Sequence, residues 1–568
     1  MRSLAFLPLA ALGLFAVHCG GSPYVGVGPD AAPPDPPADG GDAGPENPDA
    51  EGATTASKVD VLLVVDDSAS MSDKAEILAG SIGRLARKVA PTGDVHLGVI
   101  STSLGGMGGD VCGANDAHDG RAHLRNTEAG GAVVPAAKDG FLRFGGALGT
   151  DDVDAFVRDA EAIVRGIGQS GCGLEAQLES AYRFLVQPDP WQSITRDEKN
   201  RGAYAGVDEV LLKQRAAFLR PDSLVVVVLL SDEDDSSADP RAVGGQGWAF
   251  MTKQFPGSNV FRADGKTTTA PRATSACATN PGSADCDSCA LAASKDDPEC
   301  KKNGGFYGPN EESLNVRFFD MKRRFGVDPQ FPLARYTGGF TKVGVPNRDG
   351  EHLIVDGVMT PYLGATDCTN PLFASSLPTS ANQDLCSLPR GPRGKELVLF
   401  AVIGGVPESL VAGTIDWTKI LGASPETYDR TGVDPHMIPS VTPRDGVPPP
   451  APRGDNGDPV YPVGRDWDTA SEDLQYACTF ALPAPRTCTL ADPSCDCAGP
   501  QAPPLCGAAE GVQLRGKAYP SIRQLRVAKA LGDRGLVSSI CPRDVTSGYA
   551  GTMAALGDRI APRLVMRK

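Results

Sequence analysis

The sequence predicts an α/β domain: an open, mostly parallel central sheet with helices on both faces. Two runs, Val59–Val65 and Leu224–Leu230, are apolar almost throughout and rich in β-branched residues, which marks strands buried on both sides. The segments around them place apolar residues at helical spacing, and strands alternating with helices make parallel sheets. Two long stretches rich in Gly, Pro and Asp interrupt this rhythm and read as insertions into one domain, not as further domains.

In chain order, the first strand ends at the polar turn Asp66-Asp67-Ser68-Ala69-Ser70-Met71-Ser72. Ile77, Leu78, Ile82, Leu85 and Val89 then form the apolar face of a helix. A strand follows over 95–101, then helices over 153–167 and 174–186. The run 224–230 ends at Ser231-Asp232-Glu233-Asp234-Asp235, and a further core strand fits 397–403. A helix over 519–531, a short strand over 535–540 and a last helix ending near Leu564 complete the pattern. The insertions span about 238–394 and 406–516. A length of 568 residues alone would suggest three or four domains, but only one set of core strands is present.

The 15 cysteines are an odd number; setting Cys19 aside leaves 14, enough for seven disulfides in an oxidising compartment. Eleven of these 14 lie in the insertions, which are expected to be stapled because they lack a large core of their own. Cys112 and Cys172 are expected to pair, as are Cys368 and Cys386. Cys277, Cys286, Cys289 and Cys300 could mimic a zinc site, but two disulfides fit an exported chain better. Cys478, Cys488, Cys495, Cys497, Cys506 and Cys541 imply three bridges of open pairing.

Residues 1–18 have the form of an export signal, one basic residue followed by an apolar run too short to span a bilayer comfortably. The run ends in Ala16-Val17-His18-Cys19-Gly20-Gly21, which resembles a bacterial lipobox, although His18 stands where a small residue is usual. That resemblance implies lipidation at Cys19 and a protein anchored in the cell envelope without a transmembrane segment. Gly20 is not the aspartate of an inner-membrane retention signal, so the outer membrane is favoured. Residues 19–57 then read as a disordered stalk: the part from Gly28 to Ala53 is mostly Pro, Gly, Ala and Asp with two Glu, and has no Lys, Arg or aromatic residue. Extended, it would reach up to about 80 Å at about 3.1 Å per residue. The folded domain is expected over 58–568.

The chemistry concentrates at the first strand's end. Asp66-x-Ser68-x-Ser70 packs a carboxylate and two hydroxyls within five residues, an oxygen-only set suited to a hard cation such as Mg²⁺, with Ca²⁺ or Mn²⁺ as alternatives. A turn at the carboxyl end of a parallel strand is also where open sheets bind ligands. The motif resembles the metal-ion-dependent adhesion site of the von Willebrand factor A (VWA) family, a Rossmann-like fold. The resemblance implies direct ligation of one ion by Ser68 and Ser70, with Asp66 and Asp232 holding it mostly through water. An acidic residue from a partner protein would complete the coordination. The family's remaining ligand is a threonine, and the corresponding stretch 168–175 has none. Ser170 could supply the hydroxyl, or Glu175 a carboxylate that would neutralise the ion further.

Without metal, Asp66–Ser72 would still serve as a helix N-cap. Glu233, Asp234, Asp235 and Asp239 could hold a second Ca²⁺ or simply be solvated. A net charge of -16 and a pI near 4.9 argue against a general affinity for nucleic acid or anionic lipid surfaces. No HExxH, phosphate-binding loop, GxSxG or dinucleotide fingerprint occurs, so no enzymatic activity and no catalytic residue are expected. The leading expectation is therefore a lipid-anchored VWA-type protein that binds an unidentified protein through a divalent cation. The alternatives are a structural envelope lipoprotein with a vestigial metal site and, further off, a hydrolase hosted in the insertions.

Overall fold

A computed structural model describes residues 47–113, 118–253, 270–290, 296–308, 311–423, 428–447, 466, 469, 472–489, 494–497, 505–507, 509 and 511–565. The signal segment, Cys19 and most of the expected stalk lie outside the described residues. Six strands form the central sheet: β1 (Val59–Val65), β2 (Asp94–Ser101), β3 (Phe141–Gly145), β4 (Leu224–Leu230), β5 (Val398–Gly404) and β6 (Gly535–Ser539). Their order is β6-β5-β4-β1-β2-β3. All neighbours are parallel except β3, which runs antiparallel to β2 at the edge.

Side-chain alternation along the strands builds two cores, one on each face of the sheet. Val59, Val61, Leu63 and Val65 of β1, with Leu224, Val226, Val228 and Leu230 of β4, face α1 (Ser72–Val89), α2 (Val153–Gly166) and α6 (Ala550–Ile560). Leu62 and Val64, with Val225, Val227 and Leu229, face α3 (Gln177–Leu185), α4 (Glu209–Phe218) and α5 (Ile522–Ala530). Both strands are buried at every position, including the one polar residue, Asp60, which pairs with Arg220 and accepts from Ser223. No helix among the described residues is long and apolar enough to cross a membrane.

Two expectations need correction. The tail of the expected stalk is not free. Asn47 exchanges hydrogen bonds with Gly344, Asp49 pairs with Lys342 and Lys395, Ala50 is fully buried, and Ala53 and Ala56 bridge to Arg393 and Leu564. Burial of Ala50 and satisfaction of these backbone groups outweigh the segment's composition. Nor does the first insertion stand apart from the core. Trp248, Phe250, Phe325, Phe331, Tyr336, Phe340 and Phe373 join the core on the α3–α5 face, so this insertion enlarges the domain's own core.

All 14 cysteines among the described residues are bridged. Cys112–Cys172 and Cys368–Cys386 pair as expected, and Cys277–Cys286 with Cys289–Cys300 are disulfides. The last six form Cys478–Cys541, Cys488–Cys495 and Cys497–Cys506. The second insertion also contributes an antiparallel ribbon, Cys478–Thr487 with Val512–Ala518. Cys541 ties the ribbon's start to the loop after β6, and Tyr519 at its end donates a backbone hydrogen bond to Asp232 (2.7 Å). The ribbon thus stands as a fixed wall beside the carboxyl ends of β1 and β4.

Candidate metal centre

Strand order places this centre. Numbered along the chain, the order reads 3-2-1-4-5-6, so connections diverge between β1 and β4 and leave a crevice at their carboxyl ends. Asp66 is the residue after β1 and Asp232 lies two beyond β4, so register alone brings the two carboxylates to the crevice.

Both are fully buried and held by different partners. Asp66 accepts hydrogen bonds from the Ser68 amide (2.8 Å) and the Ser231 hydroxyl (2.6 Å), and Gln177 orients that hydroxyl from α3. Ser70 Oγ donates to Asp232 (3.0 Å) and lies 3.5 Å from Ser68 Oγ. Asp66, Ser68, Ser70 and Asp232 therefore share one small site, although 162 residues separate Ser70 from Asp232.

The two candidates for the missing hydroxyl part company. Ser170 is exposed, whereas Glu175 is fully buried with its carboxyl against that of Glu233 and no cation in contact. Glu175 is held from both sides: Ala176 N–H donates to Thr102 at the end of β2, and Ser236 N–H donates to the Glu175 carbonyl. Gly171 keeps the preceding loop down, since a Cβ there would lie 2.6 Å from the Asp67 carboxyl carbon. Cys112–Cys172 staples the same loop.

Three participants were not foreseen from sequence. Ser231 orients Asp66, and Asp67 accepts from Ser103 Oγ (2.8 Å) behind it. Lys74 is the third: its buried ammonium contacts Asp232 Oδ2 (2.9 Å), Asp73 Oδ1 (3.1 Å) and the Ser70 carbonyl (2.7 Å). It sits four residues after Ser70, one helical turn, which is the only sequence signal that could have placed it.

The electrostatics follow from burying more acid than base. Burial, reinforced by the Asp232 charge, raises Asp66 far above the usual carboxylate range. Glu175 is raised further by burial and by the charges of Glu233, Asp66 and Asp67. Burial lifts Asp67 to about 6. Lys74 is raised, because Asp232 and Asp73 outweigh its desolvation. One ammonium thus stands among several carboxylates.

The donor set fits a hard divalent cation: hydroxyls and carboxylates, with no sulfur or imidazole. Among the described residues no three His, Cys, Asp or Glu side chains converge on one metal position, so an ion would depend on Ser68 and Ser70 as much as on acids. The acidic loop after Asp232 forms no second centre and is not simply solvated. Asp235 pairs with Arg523, Asp234 accepts the Arg523 amide, and Asp239 pairs with His352. The chain matches no family model, no curated protein and no solved structure. The site and the sheet order are what define the class: an α/β protein with an acidic, hydroxyl-bearing site at its topological switch point.

Proposed function

We propose that this protein is an exported, lipid-anchored VWA-type module that binds a partner protein through one divalent cation held by Ser68, Ser70, Asp66 and Asp232, with Glu175 as the carboxylate in place of the family's threonine. The observation that carries this reading is Glu175. A fully buried acid that lies among other acids, Glu233, Asp66 and Asp67, with no cation in contact is costly, and a divalent cation offsets that cost. Strand order and the β1 and β4 ends support the VWA reading. A bound ion would supply an electrophile for an acidic group of the partner. The chain's own residues would hold it, Ser231 fixing Asp66 and Lys74 fixing Asp232.

Titration of Mg²⁺, Mn²⁺ and Ca²⁺ into the full chain tests this. A bound ion raises the melting temperature and gives a binding isotherm, with about 2.7 kcal/mol of stabilisation at one hundred times Kd. Asp66→Ala should abolish both. Absence of either response in the wild type would sink cation binding, and capture of the same partner with and without chelator would sink its adhesive role.

The Lys74–Asp232 contact favours a second reading, a structural envelope protein in which the ammonium has replaced the metal. Lys74→Met separates the two. It strengthens cation binding if Lys74 merely competes for Asp232, and destabilises the fold without creating a cation response if the ammonium is the resident charge.

A further inference from the structure

Among the described residues, eight large hydrophobic side chains are exposed, and four of them fall within eleven residues of the first insertion: Leu353 (49%), Ile354 (53%), Val355 (54%) and Leu363 (50%). They belong to a small β-hairpin and its return strand. Ile354 pairs with Met359 and Val355 with Val358 across a two-residue turn, Asp356-Gly357, in which both residues have positive φ (51° and 82°). That tight turn pushes the aliphatic pair outward. Thr360 N–H donates to the Leu353 carbonyl and Leu363 N–H to the Glu351 carbonyl, which holds Leu363 to the same unit.

The hairpin's base is rigid. Glu351 and His352, immediately before it, are buried in ion pairs with Arg241, Arg335 and Asp239. Arg201 Nη1 donates to the Gly357 carbonyl (3.1 Å), and Arg196, Arg201 and Lys199 stand in the neighbouring hairpin. A firmly mounted tip whose exposed side chains are aliphatic apart from Asp356 at its turn is not explained by the domain's own packing.

Its position supplies the occupant. Residue 47, where the chain from Cys19 reaches the described fold, lines one cavity together with Tyr362, Leu363, Gly364 and Thr366. Asn47 is fixed there by its paired hydrogen bonds to Gly344. The tether therefore meets the domain beside the apolar unit. We propose that Leu353, Ile354, Val355 and Leu363 form a lipid-contacting tip that dips into the surface of the membrane to which Cys19 anchors the chain. This rests on the lipid-anchor reading above. A single lipid chain holds a protein only marginally, and a second apolar contact both strengthens the hold and fixes the domain's orientation.

The test uses the full mature chain in phosphatidylcholine and in phosphatidylglycerol-containing vesicles, with amide hydrogen exchange as the readout. Exchange over residues 353–363 should slow roughly tenfold on either vesicle relative to lipid-free protein, because the contact is apolar. The double variant Ile354→Asp and Leu363→Asp should lose the protection while keeping the wild-type melting temperature. Equal exchange with and without vesicles overturns the proposal. So does protection that grows with protein concentration without lipid, which would make the tip a contact between copies. Failure of the anchor reading looks different: the mature chain would carry no diacyl mass and stay in the aqueous fraction, where adding vesicles still reads the tip.

Discussion

Two buried acidic clusters in this molecule are treated in opposite ways. On the flank, where the first insertion meets α3, Glu351 contacts Arg335 (2.7 Å) and Arg241 (2.7 Å), Glu179 contacts Arg335, and Asp239 contacts His352 (2.6 Å). Every carboxylate there has a cation in contact. At the strand ends, Lys74 serves Asp232 and Asp73, Asp66 and Asp67 rely on hydroxyls and amides, and the Glu175 carboxyl meets Glu233 and no cation. The flank cluster is complete within the chain and holds the insertion to the sheet. The other buries more carboxyl groups than cations, so its acids are pushed toward their protonated forms instead of being paired.

The largest effect should come from breaking the complete cluster. Arg335→Met leaves Glu179 and Glu351 buried without their shared cation and should cost about 3–5 kcal/mol, read as a large drop in thermal midpoint. The same cluster predicts a pH dependence. Burial alone would lower the His352 pKa, but the Asp239 charge outweighs it and the pKa is raised from 6.5. A raised histidine gives stability that is full below pH 6.5 and lost as pH rises through the folded pKa. His352→Gln should therefore destabilise by about 2–4 kcal/mol at pH 6, with the gap to wild type narrowing above neutrality in melting curves run across that range.

The incomplete cluster should respond with the opposite sign. Glu175→Gln removes an unneutralised acid and should stabilise the chelator-treated protein by about 1–2 kcal/mol, while weakening divalent-cation affinity about tenfold or more in calorimetry. Loss of stability in chelator would mean that Glu175 is structurally satisfied and would erase the contrast. The smallest effect belongs to Ser170→Ala, expected within about 0.5 kcal/mol of wild type and with an unchanged cation response, because the side chain is exposed.

What could be read from sequence divides along the same physical lines. Strands buried on both faces are continuous apolar runs, so β1 and β4 were legible residue for residue, and with them Asp66 and Asp232. β3 escaped notice: five residues with a central Arg143 on a sheet edge carry little pattern. α4 was missed because Arg215, buried at a core position and bonded to the Gln187 carbonyl, breaks the apolar face. Lys74 and the choice between Ser170 and Glu175 depend on which way a stapled loop folds over the strand ends, and linear proximity does not encode that. The flank cluster was invisible for the same reason, since Glu179 and Arg335 meet across 156 residues.

The disulfide pattern bears on how the chain must be made. In chain order the bridged cysteines pair consecutively, first with second and third with fourth, with one exception: Cys478 passes over Cys488, Cys495, Cys497 and Cys506 to reach Cys541. A chain entering an oxidising compartment from its N-terminus would close the first four bridges correctly simply by joining each thiol to the next one to arrive. At Cys478 that rule fails, because Cys488 arrives 53 residues before Cys541. Demand for thiol exchange, and so for an isomerase, is concentrated at this one position, the root of the ribbon that walls the candidate metal centre.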